Sequence, residues 1–294
     1  MKTEVTEKRL PLISVCMITY NHEAYIEQAL DGIFMQTGPF DLEVIISDDC
    51  SLDDTKKIIQ RKIIQNNNIT VKYFPQESNL GIIENFVFAL KQCTGKYISI
   101  CEGDDYWLDN KKLEKQMSLL ENDKELVGSF HFVKVQFEGK PYLSNIYCEE
   151  VPEILCTEDL IAKRSLMHTS SLFFRKDALV FPEWYTSFLS GDFSLSSILS
   201  KCGCFKRVNE VMSVYRVHEY GVTNTKDYNI NNTNLKVLIL KNLNIFHEYK
   251  YNEKFEKVIS ELLNPPKRSN IFVQFRRKLK LGIVIKRVKY WMNN

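Results

Sequence analysis

Four short apolar runs within the first hundred residues, three of them closing on a polar cluster, set the tightest limit on how this chain can fold. Residues 13–18 end in Thr19-Tyr20-Asn21, residues 42–46 end in Ser47-Asp48-Asp49, and residues 96–101 run straight into Glu102-Gly103-Asp104-Asp105. Residues 71–74 form the remaining run. Between them, residues 24–34, 53–64 and 81–92 carry apolar side chains at helical spacing, for example Ile26, Ala29, Leu30 and Ile33. Strand-length apolar runs alternating with amphipathic helices predict βαβ units around a mainly parallel sheet flanked by helices. The carboxyl ends of parallel strands lie along one edge, where ligands bind, so the three polar clusters are expected to converge on one site.

Length and composition remove several other classes. The 294 residues suit one large α/β domain with a smaller appendage, and 44% hydrophobic with 26% charged residues excludes disorder over most of the chain. The apolar run near the N-terminus is too short for a membrane span and lacks a cleavage site of small residues, so it reads as a buried strand. Eight cysteines are scattered without a CxxC pair or zinc spacing, Cys202-Gly-Cys204 being the only close pair. Reduced thiols of a cytosolic protein are expected.

Further along, residues 130–135, 171–174 and 210–217 read as strands and residues 193–200 as a helix; beyond Thr225 the pattern is helical and polar. The expected division is an α/β domain over 1–225, in two halves at about 12–107 and 108–225. A helical extension over 226–294 follows, with Pro265-Pro266 marking a break before its tail. Residues 267–294 hold nine of the 39 basic residues and none of the 37 acidic ones, which leaves the rest of the chain net acidic by seven. With Phe272, Phe275, Tyr290 and Trp291 among those charges, the tail suits the surface of an anionic membrane. A dimerisation helix is the alternative, and a homodimer stays open; nucleic acid is not expected as a partner.

Three carboxylates on one loop, Glu102, Asp104 and Asp105, repel one another unless a cation sits among them. Hard oxygen ligands of this kind suit Mg²⁺ or Mn²⁺ with a diphosphate. Asp48 and Asp49 can accept from a base N–H or ribose hydroxyls, while Asp53 or Asp54 caps the next helix.

Taken in order, Val15 to Asn21, Ile45 to Thr55, Asn79-Leu80-Gly81 with Asn85, Thr94 to Ile98, and Glu102-Gly103-Asp104-Asp105-Tyr106-Trp107 resemble the family 2 inverting glycosyltransferases of GT-A fold. The resemblance covers roughly residues 12–220 and implies a Rossmann-like nucleotide-diphospho-sugar transferase fold. It implies a UDP- or dTDP-type donor, UDP-sugars first, a divalent metal, and single-displacement transfer with inversion. Thr19, Tyr20 and Asn21 would surround the base, with Asp48 or Asp49 completing that pocket and Asn79 and Asn85 on the donor side. Asp104 would reach the ribose or bridge to the metal, and Asp105 would bind it; Glu102 stands where the family more often has Asp. Ser190-Gly191-Asp192-Phe193 is similar to the motif that supplies the catalytic base, here Asp192, which a helix N-cap would also explain. Tyr215-Arg216-Val217-His218 is similar to the YRxH element: Arg216 would steady diphosphate oxygens and a neutral His218 would be a further metal ligand. His22 reads as incidental, and His168 falls where the family lines its acceptor pocket.

The function so implied is a hexosyltransferase acting on a glycan or polyprenyl-linked acceptor in bacterial surface polysaccharide synthesis, at the cytoplasmic face of the cell membrane. A sugar nucleotidyltransferase would show a glycine- and lysine-rich phosphate loop after the first strand, and a dehydrogenase would show GxGxxG; Thr19-Tyr20-Asn21-His22-Glu23 is neither. A catalytically degenerate scaffold is opposed by the presence of Asp105, Asp192 and His218.

Overall fold

The computed structural model describes residues 10–66, 68–140, 144–147, 150–163, 166–187, 191–219, 221 and 233–265, with only the backbone of Gly191 and Asp192. The first half follows the expected alternation: β1 (Leu12–Thr19), α1 (Ile26–Phe34), β2 (Asp41–Asp48), α2 (Thr55–Gln65), β3 (Thr70–Pro75), α3 (Ile82–Gln92) and β4 (Tyr97–Ile100). These strands pair in parallel in the order β3-β2-β1-β4. The chain continues through β5 (Tyr106–Trp107), α4 (Lys112–Asn122), β6 (Leu126–Phe137), β7 (Ser144–Tyr147), β8 (Ile154–Leu155) and α5 (Thr157–Ala162). It ends in β9 (Phe173–Arg175), α6 (Gly191–Leu199), β10 (Cys204–Val217), α7 (Thr233–Phe246) and α8 (Asn252–Leu263). The main path reads β3-β2-β1-β4-β9-β6-β10-β5, with β9 and β5 antiparallel to their neighbours and the other six strands aligned.

Period-two alternation in β1 divides the core into two layers. Ile13, Val15 and Met17 pack with α1, α2 and α4, whereas Cys16 and Ile18 pack with α3 and with α5 to α8. Because both faces are covered, β1 is buried almost throughout, and its sequence is a continuous apolar run rather than an alternating one. Val237, Leu240, Leu243 and Phe255 place α7 and α8 in the second layer, so these helices share the core of the main sheet.

One buried charge holds β1, β2 and the start of β4 together. Glu43, 2% exposed, accepts from Ser14 Oγ, from Thr94 N at 2.6 Å, from Thr94 Oγ1 at 2.7 Å and from Lys72 Nζ at 2.8 Å. Burial alone would raise its carboxyl, but the Lys72, Ser14 and Thr94 hydrogen bonds hold it at about 2 against an ordinary 4.5. The folded-state value lies below the unfolded one, so this stabilisation is present above pH 4.5 and is lost as pH falls toward 2. Glu43→Ala, which strands these donors and Lys72, is expected to cost about 3–5 kcal/mol in urea denaturation at neutral pH, with a smaller difference near pH 3.

The cysteines depart from expectation. Cys156 and Cys204 are joined in a disulfide with Cα atoms 4.5 Å apart, so Cys204 is not free to pair with Cys202 around a metal. The cause is tertiary: β8 runs antiparallel to β10, with Leu155 opposite Phe205, and this sets the adjacent cysteines side by side. Cys16, Cys50, Cys93, Cys101 and Cys202 are free thiols.

Candidate active site

The polar clusters do meet at the carboxyl edge of the sheet, around a cavity of about 430 Å³. The loops after β1 and β2 are laced to one another. Asn21 N donates to Ser51 Oγ at 2.9 Å, Leu52 N to Asn21 Oδ1 at 2.8 Å and His22 N to Thr55 Oγ1 at 2.8 Å. Both loops contain a left-handed residue, Asn21 at φ 54° and Cys50 at φ 66°, a conformation that the cross-loop bonds hold in place.

This lacing changes the parts two expected ligands play. The Asp48 carboxylate is consumed by Ser51 N at 3.0 Å, Ser51 Oγ at 2.5 Å and Tyr73 OH at 2.7 Å, and Asp48 does not line the cavity. Asn21 likewise spends its side chain on the loop after β2 and stays off the wall. Both brace the loops that frame the pocket. Thr19, Tyr20, Asp49, Asn79 and Asn85 do line it. Asp49 accepts from Leu80 N at 2.6 Å and Gly81 N at 3.0 Å, which fixes the start of α3 against the pocket. Asn85 is pinned by Ser47 Oγ at 2.6 Å, and Asn79 Nδ2 donates to Asp49 O at 3.2 Å.

The acidic loop separates its two aspartates. Asp104 lines the cavity, with His218 Nε2 at 3.1 Å and His22 Nε2 at 3.8 Å from its Oδ2. Burial alone would raise the Asp104 carboxyl, but the His218 hydrogen bond and the fields of His22 and His218 hold it below the usual range. Asp105, 1% exposed, lies off the cavity wall: Arg216 N donates to its Oδ1 at 3.0 Å, and its Oδ2 has no hydrogen bond. Burial, reinforced by Asp104 and Glu102, pushes its carboxyl well above the ordinary value. Asp104 thus stands on the cavity wall, while Asp105 lies just behind it, tying β10 to the acidic loop through Arg216 N and keeping its Oδ2 3.8 Å from Nδ1 of the wall residue His168.

Arg216 reaches the cavity from the end of β10, its guanidinium bonded to Asp104 O and Gln28 Oε1 and stacked 4.3 Å from the Tyr106 ring. Glu102 also lines the cavity, where Thr169 Oγ1 donates to it at 3.1 Å. His168 is a wall residue whose Nδ1 accepts from Ser170 N at 3.2 Å; burial takes it down to about 4, so the ring is neutral at physiological pH. For Asp192 the structure places the backbone in the first turn of α6; its side chain lies outside the described residues, as does the basic tail.

Glu102 and Asp104 face one arginine across the cavity, and Asp105 Oδ2 behind them accepts no hydrogen bond, so the site has a deficit of positive charge that a divalent cation fits. Asp104 Oδ2 and His218 Nε2 already stand at the roughly 3 Å separation of two ligands sharing one ion with bonds of about 2.1 Å. Among the described residues no three such side chains close into a finished cage.

A parallel first half of the sheet, a mixed second half and an Asp/His pair at the strand ends make up a GT-A-type fold. The pattern of Glycosyl transferase family 2 matches residues 14–195, and the chain belongs to that family. An uncharacterised protein of Mycobacterium tuberculosis is 32% identical over 214 residues, 71% of this chain and 60% of the relative, so the chain spans less than two thirds of that relative's length. The putative teichuronic acid biosynthesis glycosyltransferase TuaG of Bacillus subtilis is 36% identical over 110 residues, 37% of this chain and 42% of its own. Among solved structures, S. aureus TarS 1–349 in complex with UDP-GlcNAc superposes with a TM-score of 0.63 at 20% identity, covering 86% of this chain and 71% of that one. The mannosyltransferase PcManGT from Pyrobaculum calidifontis, in complex with GDP-Man and Mn²⁺, gives 0.59 at 18% identity over 94% and 81%. At these identities the structural likeness speaks for the fold alone.

Proposed function

We propose that this family 2 glycosyltransferase moves a sugar, with inversion, from a nucleotide-diphosphate donor, UDP-sugars first, to a glycan or polyprenyl-linked acceptor in surface polysaccharide synthesis. The observation that carries the reading is the meeting of Asp104 and His218 on the wall of the cavity at the strand ends. In this reading Asp104 and His218 hold Mn²⁺ or Mg²⁺, which supplies positive charge to the leaving diphosphate. Thr19, Tyr20, Asp49, Asn79 and Asn85 form the nucleoside wall, and Arg216 orients phosphate oxygens. Asp192, opening α6, takes the proton from the acceptor hydroxyl as that oxygen attacks the anomeric carbon from the face opposite the departing diphosphate. A single base suffices, since the nucleotide leaves without needing a proton.

Residues 12–107 then act as the donor half and 108–225 as the acceptor half, with the basic tail resting on an anionic membrane at its cytoplasmic face. Among the described residues no helix is long and apolar enough to cross a membrane. The Cys156–Cys204 bond pulls against a reducing compartment, because disulfides persist in oxidising ones.

Calorimetry of the full-length protein with UDP, GDP, dTDP and CMP, with and without Mn²⁺, tests the reading. One nucleoside diphosphate is expected to bind only with the ion present. Failure of all four to bind folded protein in Mn²⁺ would favour the degenerate scaffold instead.

A further inference from the structure

His22, which the sequence left without a role, sits on the cavity wall with its ring perpendicular to that of His218, at 6.4 Å between ring centres. Its Nδ1 lies 3.2 Å from Thr19 Oγ1, a hydroxyl fixed on the last residue of β1 and 2% exposed. Imidazoles that bind metals characteristically spend the second ring nitrogen on such a partner, which fixes the tautomer and aims the other lone pair. The other nitrogen, Nε2, is the one that faces Asp104 Oδ2, at 3.8 Å. With Nδ1 protonated toward Thr19, two lone-pair atoms face each other across that gap, an arrangement that a cation between them turns from repulsive to favourable.

The backbone is shaped to permit this approach. A Cβ on Gly103 would stand 2.6 Å from Thr19 Oγ1 and 2.8 Å from His22 Nδ1, so only glycine between Glu102 and Asp104 lets the acidic loop close on this pair. The main-chain bond from His22 N to Thr55 Oγ1 holds the loop independently of the imidazole.

We propose that His22 Nε2 is a third protein ligand of the divalent cation, beside Asp104 Oδ2 and His218 Nε2, closing the remaining fraction of an ångström when the ion binds. The proposal rests on the transferase reading above. Two imidazoles and one carboxylate make a softer set than a Mg²⁺ site of carboxylates and water, so the protein prefers Mn²⁺ to Mg²⁺.

The test is electron spin-echo spectroscopy of Mn²⁺ bound to the full-length protein with UDP, which counts the imidazole nitrogens coupled to the ion. Two are expected in the wild type, one in His22→Gln and one in His218→Gln, and His22→Gln should weaken Mn²⁺ binding at least about tenfold. Circular dichroism melting confirms that both variants are folded. A single coupled nitrogen in the wild type, unchanged in His22→Gln, overturns the proposal while leaving the transferase reading standing. Absence of any Mn²⁺ binding with UDP present overturns both.

Discussion

Asp104→Asn is expected to lower kcat/KM for sugar transfer about a thousandfold, equivalent to roughly 4 kcal/mol of lost transition-state stabilisation. The amide keeps the shape and the contact with His218 but removes the negative charge that faces the cavity. Mn²⁺-dependent nucleotide binding should weaken with it. Asp105→Asn supplies the contrast, because that side chain lies under the floor and bonds Arg216 N rather than facing the pocket. It should act mainly on stability, leaving Mn²⁺-dependent UDP binding within a few-fold of wild type at temperatures where the protein is folded. Calorimetry and steady-state kinetics on the two variants separate the assignments: loss of binding in Asp105→Asn with binding spared in Asp104→Asn would put the ion on Asp105 instead.

Asp192→Asn is expected to reduce kcat by about 10²–10⁴-fold, the usual contribution of a positioned base, while binding of UDP with Mn²⁺ stays unchanged. An N-cap role makes the opposite prediction, since asparagine caps a helix as well as aspartate and would leave both kcat and stability intact. Single-turnover rates with a saturating donor, read beside thermal melting, decide between them. A kcat within threefold of wild type would mean that the base lies elsewhere.

Legibility of the fold followed burial. Strands covered on both sides, such as β1 and β2, appear in the sequence as plain apolar runs, and α1 shows its buried Ile26, Ala29, Leu30 and Ile33 at helical spacing. By contrast α4 left no readable stripe, because two of its inward positions are polar. Lys112 is fully buried, donating to Ser99 Oγ at 2.9 Å and Gln116 Oε1 at 2.8 Å with its ammonium 4.0 Å from the Trp107 ring. Burial brings its proton affinity down to about 7. A lysine and a glutamine satisfied inside the core look, in a sequence, like a solvated face. β7 and β8 are too short for any periodicity, and the disulfide that β8 frames with β10 joins residues 48 apart, which no spacing rule connects.

The site was legible by region and less so by atom. Three loop clusters were expected at one edge and are found there, because strand direction decides where strand ends go. Which carboxylate of an adjacent pair faces the ligand depends on the turn after β4, and this turn presents Asp104 and buries Asp105. Asp48 stays off the cavity wall for a related reason: its carboxylate is taken by Ser51, three residues on in the same loop, and by Tyr73 on the adjacent strand β3. His22 was overlooked although it directly follows Asn21, since only the tertiary approach of Gly103 reveals what its ring faces.

The most direct test of the central claim is turnover of a panel of UDP-, GDP- and dTDP-sugars by the full-length protein, following nucleoside diphosphate release with Mn²⁺, with Mg²⁺ and with chelator. Release is expected from one donor class, faster with Mn²⁺ than with Mg²⁺, abolished by chelator and by Asp104→Asn. Release that is indifferent to chelator and unaffected by Asp104→Asn would contradict it.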